Sequence, residues 1–562
     1  MSNNIIFLLK FILITICYLF LNKDFIKERF HHYNFFEQKL KKVGYVAQLL
    51  LGTLIISLFA SSLLWVKFVF YPIFLVSSIF YVTYYRSTGA PLSFADFLTL
   101  FDAKGMVHDA FLAYKDSLLI VALWHIPVTV AYFIFPSLVI SNGMTMVAIG
   151  LLVVVLSALT LSLYNTQGRG LKGKPAYLIP PVFLLMYIYI TYIKQGNDKA
   201  FNEKPRPNLE AITQEKSEIK TLIMVIDESI NWHLIDLNRD EGNTPSLKLF
   251  PKENIINFGP AVAYSNASDL SNASIRKFIR FNEEENDLYG SSTTHIWEVV
   301  KLAGFKPYLI DAQGDGFNHN FFTPEESAEF TLLPAKHFKA DTEIIDSILA
   351  VREKNPDDKL FFLIIKEGSH FPYKNLGFDT PFMPTMASTS IRQSTAEEVY
   401  NAYRNRTRFN TDLFFKAIYE CFSYQEETVI VYTSDHGQTL ANPGEKATHC
   451  DTYSPHLAEA MVPLLVVGPE KVINNAVSRD MLDSSQIASH YMIPALLMSY
   501  LGYQKDDIQA FTDYKRVLNQ EEVLHFVYRR AIPFFEPMAQ KMTVPRERFE
   551  QLMASDSPHI FE

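Results

Sequence analysis

Six apolar stretches dominate the first 200 residues, near 5–22, 44–64, 66–85, 117–137, 143–164 and 176–194. Each approaches the roughly 20 residues that a helix needs to cross a hydrocarbon core of about 30 Å, so they predict a multi-span helical membrane domain over residues 1–196, with six spans or five. The first starts at Asn3-Asn4 with no Lys or Arg before it and no small-residue cleavage site after it, and it reads as a span instead of a cleaved signal peptide. Its Lys10 is expected to snorkel. The apolar pattern stops over 197–217, where Lys204-Pro205-Arg206-Pro207-Asn208 predicts a linker. From 218 to 562 short apolar runs alternate with helical patterns, the rhythm of an α/β domain with a largely parallel sheet flanked by helices.

Charge separates the same two parts. Residues 1–200 carry 16 Lys/Arg and 8 Asp/Glu, and residues 201–562 carry 35 and 52. The basic part is no nucleic-acid binder, because its charges stand singly between apolar runs. Excess Lys and Arg in short loops mark the cytoplasmic side. Residues 23–43 hold Lys23, Lys27, Arg29, Lys39, Lys41 and Lys42 against three acids, and 165–175 hold Arg169, Lys172 and Lys174 with none. Both loops are expected inside, as is 87–116, and everything after about residue 195 outside the cytoplasm. With 49% hydrophobic residues the chain is too apolar for disorder. Cys17, Cys421 and Cys450 form neither a disulfide framework nor a metal-finger spacing.

Four runs in the second part place polar groups beyond, or in the loop beside, a predicted strand. Thr221–Ile226 leads to Asp227-Glu228-Ser229, Leu360–Ile365 to Gly368-Ser369-His370, Thr428–Thr433 to Ser434-Asp435-His436-Gly437, and Val462–Val467 follows His449. In open α/β sheets the strand ends are where ligands bind. Singly, such residues are turn formers. Together, Glu228, Asp435, His436, His370 and His449 can converge on one edge, and carboxylate with imidazole suits Zn²⁺ better than Mn²⁺ or an all-oxygen Mg²⁺ or Ca²⁺ site. The segment Tyr264–Phe278 is a Ser/Asn-rich turn running into a helix. Ser268 or Ser271 near that helix start is either an N-cap or a nucleophile that the helix dipole and a metal activate.

These residues resemble the alkaline phosphatase and sulfatase superfamily, and within it the membrane-anchored phosphoethanolamine transferases that modify lipid A and other lipopolysaccharide sugars. Val225–Ser229 resembles the first strand with its zinc-ligand Glu, and Ser434-Asp435-His436-Gly437 is similar to the motif whose Asp and His complete the zinc site. Gly368-Ser369-His370-Phe371-Pro372 resembles the Gly-Ser-His segment, and His449 falls about where another phosphate-side histidine belongs. The resemblance implies an alkaline-phosphatase-like catalytic domain at 218–562, with Glu228, Ser268, Asp435 and His436 on Zn²⁺ and a possible second metal near His370 and His449. It sets Ser268 at the usual nucleophilic Thr and Ser271 at a later serine, a departure in residue type that leaves Ser271 as the alternative nucleophile. Ser268, His370 and His449 are then the catalytic residues.

The implied reaction moves phosphoethanolamine from phosphatidylethanolamine to a cell-envelope glycolipid through a covalent serine intermediate, in a monomer of the bacterial inner membrane with its catalytic domain in the periplasm. Phosphoglycerol transfer or hydrolysis on the same scaffold, and an inactive membrane scaffold protein, are the alternatives. No Cys/Ser-x-Pro-x-Arg motif of a formylglycine sulfatase follows Ser268 or Ser271. Relatives often carry disulfides in this domain, where only Cys421 and Cys450 stand here. They commonly have five spans, and they place outside the loop that the charge argument puts inside.

Overall fold

A computed structural model describes residues 3–23, 26–27, 39–88, 91–94, 96–98, 107–134, 138, 141–166, 171, 174–189, 202–203, 217–279, 290–291, 295–313, 322, 324–335, 338–371, 373, 380–387, 391, 394–422, 427–440, 456–483, 487–512, 514–518, 522–527, 540–545, 547 and 550–551. The chain divides into two compact units, one of Met1–Gly196, Ser388–Gln393 and Pro443–Glu445, the other of Asn197–Ala387, Ser394–Asn442 and Lys446–Glu562. Apart from Asn202, Glu203 and Ser217, the expected linker lies outside the described residues.

The first unit is helical: α1 Asn3–Leu21, α2 Lys39–Ser61, α3 Leu64–Thr88, α4 Val107–Trp124, α5 Ile126–Phe133, α6 Ser141–Asn165 and α7 Ile179–Ile188. Among the described residues, five helical segments are long and apolar enough to cross a membrane: Asn3–Leu21, Lys42–Ser61, Leu64–Thr88, Tyr114–Phe133 and Asn142–Asn165. The sixth expected span appears as a shorter apolar helix, Ala176–Ile188. At 1.5 Å per residue it covers about 20 Å, and residues 190–194 of the expected span lie outside the described residues.

On α1, Ile5, Leu8, Ile12, Ile16 and Leu19 are exposed, while Lys10, Ile14, Tyr18 and Leu21 are buried. The two stripes follow the 3.6-residue period, the exposed one offering hydrocarbon contact. Lys10 therefore does not snorkel. It sits on the inward stripe, where its Nζ donates to the Ala60 carbonyl on α2 at 3.0 Å. Cys17 and Cys421 are free thiols, and Cys450 is outside the described residues.

The second unit is built on an eight-stranded sheet: β1 Thr221–Asp227, β2 Ile255–Val262, β3 Phe305–Asp311, β4 Thr331–Leu333, β5 Lys359–Ile365, β6 Thr428–Ser434, β7 Met461–Val467 and β8 Ala488–Ser489, in the order β8-β2-β7-β6-β1-β5-β3-β4. All seven residues of β1, β6 and β7 are buried, as a sheet covered on both faces requires. Helices Ile296–Leu302 and Ile493–Tyr500 belong to the same core as Leu222, Met224, Leu363 and Val431. The sheet is mostly parallel, but β7 runs antiparallel to both β6 and β2. Register makes the strands end level: Ile226 pairs with Ile365, Asp227 with Ser434, and Asp311 with Ile365. The residues that follow β1, β3, β5 and β6 thus leave from one edge.

The helix α8, Ser268–Arg276, follows β2 and ends on a buried ion pair. Arg276 pairs with Glu326 with both side chains fully buried, Trp297 Nε1 donates to the same carboxylate at 3.0 Å, and the guanidinium lies 3.8 Å from the centre of the Phe322 ring. Removing one member strands a buried charge, at a cost of about 3–5 kcal/mol. Arg276→Met is therefore expected to destabilise the chain by about that much in urea unfolding, and Arg276→Met with Glu326→Leu to recover most of it. A loss below about 1 kcal/mol in the single variant would show the pair to be dispensable.

Candidate active site and metal centre

Glu228 is the first residue beyond β1, and Asp435 and His436 are the first two beyond β6. All three are buried, and one ligand atom from each lies within 4.8 Å of the others. Two glycines permit the turns. A Cβ on Gly437 would stand 2.1 Å from the Ala458 carbonyl, and one on Gly368, at φ +55°, would stand 2.4 Å from Asp227 Oδ1. Ser229 adopts φ +59° without being glycine. That left-handed turn lets its N–H donate to Asp435 Oδ1 at 3.0 Å and its hydroxyl to Glu228 Oε1 at 2.6 Å.

Ser268 is the first residue of α8, with Ala267 in the cap position. Its hydroxyl is not spent on capping. Oγ lies 3.0 Å from Glu228 Oε2 and 3.1 Å from His436 Nε2. Ser271, by contrast, is turned inward: it donates to the Ser265 carbonyl at 3.1 Å and accepts the Ser265 N–H at 3.1 Å, closing the turn before the helix. Asn266 donates to the buried Glu459 at 2.7 Å. Ser268 is thus brought to the carboxylate and imidazole, and Ser271 to its own backbone.

Hydrogen bonding fixes what each atom can offer. His436 Nδ1 lies 2.7 Å from the Gly437 carbonyl, which requires a proton there and leaves Nε2 as a lone pair. Nε2 faces Ser268 Oγ, Glu228 Oε1 at 3.5 Å and Asp435 Oδ2 at 3.6 Å. Asp435 Oδ1 accepts the His436 N–H at 2.7 Å and that of Ser229, whereas its buried Oδ2 has no hydrogen-bond partner. Burial raises the Glu228 carboxyl, and burial together with the Glu228 charge raises Asp435 well above the usual carboxylate range. Two carboxyl groups, an imidazole nitrogen and a hydroxyl therefore meet where burial disfavours leaving both carboxyls charged. A divalent cation satisfies all four, and the donor count suits a tetrahedral ion.

The other expected residues fall differently. His370 follows the Gly368-Ser369 turn, which packs against the Glu228 main chain through a Ser369 N–H to Glu228 carbonyl bond of 3.0 Å; it is outside the cluster of ligand atoms but near enough to feel the Asp435 charge, and desolvation pushes its imidazole down although part of its surface meets solvent. His449 lies outside the described residues. Gln313 was not expected: its Nε2 donates to Glu228 Oε2 at 2.8 Å. It follows β3, a strand hidden in sequence because Lys306 and Pro307 interrupt the run Phe305–Asp311.

Raised carboxyl pKa values mean that the metal-free fold holds more protons at Glu228 and Asp435 than the unfolded chain, so the stability they contribute is present below the unfolded range and lost as pH rises through the folded values. Metal-stripped protein is expected to melt at a higher temperature near pH 5 than near pH 8, and Asp435→Asn to shrink that difference. Added zinc should reverse the trend in the wild type and leave His436→Ala unchanged. A wild-type melting temperature indifferent to both pH and zinc would refute the shared-charge account.

A model of the Sulfatase family matches residues 220–503. A comparison with curated proteins finds no match. Among solved structures, the integral membrane protein lipooligosaccharide phosphoethanolamine transferase A of Neisseria meningitidis aligns over 89% of this chain and 98% of its own at 15% identity and a TM-score of 0.60. The C-terminal periplasmic domain of EcEptC from Escherichia coli, in complex with Zn, aligns over 60% and 96% at 20% identity and a TM-score of 0.46. The Neisseria structure shares the architecture of apolar N-terminal helices followed by a mixed, mostly parallel sheet. The family match spans Glu228, Ser268, Gln313, Asp435 and His436, and by it the chain belongs to the Sulfatase family.

Proposed function

We propose that this protein transfers phosphoethanolamine from phosphatidylethanolamine to a cell-envelope glycolipid, with Ser268 as nucleophile. The observation that carries this reading is the Ser268 hydroxyl at the first residue of α8, held between Glu228 and His436. The shared architecture of the Neisseria enzyme, whose substrate is lipooligosaccharide, supports the substrate class. Zinc on Glu228, Ser268, Asp435 and His436 would neutralise charge on the nucleophile and on a phosphoryl oxygen.

Glu228 Oε2 accepts the Ser268 hydroxyl proton, and the start of α8 offers main-chain N–H groups to a phosphate. In the first displacement the Oγ–P bond forms as the bond from phosphorus to the diacylglycerol oxygen breaks, and that oxygen leaves with a proton. In the second, an acceptor hydroxyl attacks phosphorus, the Oγ–P bond breaks and Ser268 recovers its proton. His370 and His449 serve the phosphate side, binding its oxygens or exchanging protons with the leaving and attacking groups. The apolar helices support a location in the bacterial inner membrane, and the basic loops at 23–43 and 165–175 support an exit to the periplasm after about residue 195.

Donor lipid supplied without acceptor is expected to leave a phosphoethanolamine adduct on the peptide containing Ser268. Ser268→Ala should abolish it, Ser268→Thr should keep activity, and Ser271→Ala should keep the adduct if it folds. An adduct that survives Ser268→Ala but not Ser271→Ala would move the nucleophile one helical turn. An adduct with the mass of phosphoglycerol would replace the donor, and transfer without any adduct would replace the double displacement by direct attack.

Topology has its own test. A reporter active only outside the cytoplasm should work when fused after Lys199 and stay silent near Lys172. The opposite pattern would put the catalytic unit on the wrong side for both lipids.

A further inference from the structure

Below Glu228 lies a fully buried cation that the chemistry above does not use. Lys366 is the first residue after β5, and its Nζ donates to Asp227 Oδ2 at 2.5 Å and stands 3.5 Å from Asp341 Oδ2. Asp227 precedes Glu228, yet its carboxylate is saturated. Oδ2 also accepts from Thr411 Oγ1 at 2.9 Å and Tyr432 OH at 2.8 Å, and Oδ1 accepts the Glu228 N–H at 2.9 Å. The lysine thus holds the carboxylate that holds the Glu228 main chain.

A second line runs from the same residue. The Lys366 carbonyl accepts Gln313 Nε2 at 2.8 Å, and that nitrogen also donates to Glu228 Oε2 at 2.8 Å. A third reaches the neighbouring turn, because Asp341 accepts the N–H groups of Glu367 and Gly368 at 3.1 Å each. Thr411, on the π-turn Arg408–Asp412, points at Asp227 while the adjacent Asn410 donates to the Gly368 carbonyl.

We propose that Lys366 and Gln313 are the positioning residues of the metal centre, the Lys366 side chain fixing the Glu228 main chain through Asp227 and Gln313, anchored on the Lys366 carbonyl, fixing its carboxylate. The role rests on Glu228 being a metal ligand, as in the function proposed above. It makes a prediction opposite in sign to simple electrostatics. Deleting a positive charge beside a cation site should tighten cation binding by Coulomb's law, whereas loosening a ligand's support should weaken it, typically 10- to 100-fold.

The test is a zinc titration of the full chain in detergent against a competing chelator dye, with melting temperature followed in parallel. Lys366→Met is combined with Asp341→Asn, so that fewer buried charges lose their partner. Gln313→Met removes the second line without stranding a charge, and decides alone if the lysine variant does not fold. Both are expected to bind zinc at least about tenfold more weakly than wild type, with Gln313→Met melting as wild type does. Lys306→Met, at an exposed lysine on β3, should bind as wild type does. Unchanged or tighter zinc binding in either folded variant overturns the positioning role. Wild-type protein that binds no zinc would sink the metal centre itself, a separate result that takes the positioning role with it.

Discussion

Four atoms with lone pairs, Glu228 Oε2, Asp435 Oδ2, His436 Nε2 and Ser268 Oγ, converge on one buried space. Burial makes that arrangement costly for any of the negative charges, and nearly everything around it lowers the cost without filling the centre. Ser229 and Gln313 donate to Glu228, Ser229 and His436 N–H groups donate to one oxygen of Asp435, and the Gly437 carbonyl takes the far side of His436. Of the inward atoms, Asp435 Oδ2 has no hydrogen bond, His436 Nε2 faces Ser268 Oγ, and Glu228 Oε2 accepts from Ser268 and Gln313. The surroundings therefore orient the ligands toward a cation and set the His436 tautomer that presents Nε2 to it.

That convergence depends on strand register more than on any single contact. Asp227 lies opposite Ser434, and Ile226 opposite Ile365, so a slip of one residue would shift the start of the Glu228 turn against that of Asp435 by a strand step. The glycines then bring main chains closer than a side chain permits, with Gly437 against Ala458 and Gly368 against Asp227. β7 adds a different element. Running antiparallel, it starts at the edge where its neighbours end, so Glu459 just before it can hold Asn266 two residues before Ser268. Ser268 owes its place to a strand that ends and another that begins at the same edge.

How much of this the sequence discloses follows from how far each signal travels along the chain. Apolar runs such as Thr221–Asp227 and Thr428–Ser434 announce fully buried strands, and the polar groups directly beyond them are legible because the α/β edge rule needs no contact map. Ser268 is legible only through its helix start, and its choice over Ser271 needs the fold, since both are serines in one short turn and only burial and partners separate them. Gln313 escapes because β3 carries Lys306 and Pro307 and does not read as a run. The sixth apolar stretch is described as a helix only over Ala176–Ile188, shorter than the other five, with 190–194 outside the described residues. Lys10 misleads because snorkelling presumes the lipid stripe, and residue 10 falls on the other.

The adjacent carboxylates Asp227 and Glu228 show what finally distinguishes a ligand from a support. In sequence they are equivalent neighbours after an apolar run. In the sheet, Asp227 is the last residue of β1, one step beyond the Ile226–Ile365 pair, and the residue one step beyond Ile365 is Lys366. Their side chains meet as an ion pair at that step, and Asp227 is engaged in salt-bridge and hydroxyl contacts before any metal ion arrives. Glu228 has left the ladder, so its side chain is free of the strand's alternation and reaches the centre. A lysine one residue past the end of the neighbouring strand thus divides the two carboxylates between structure and chemistry. Asp435, directly after β6, has no Lys or Arg paired with it among the described residues, and its Oδ2 faces His436 Nε2 at 3.6 Å without a hydrogen bond.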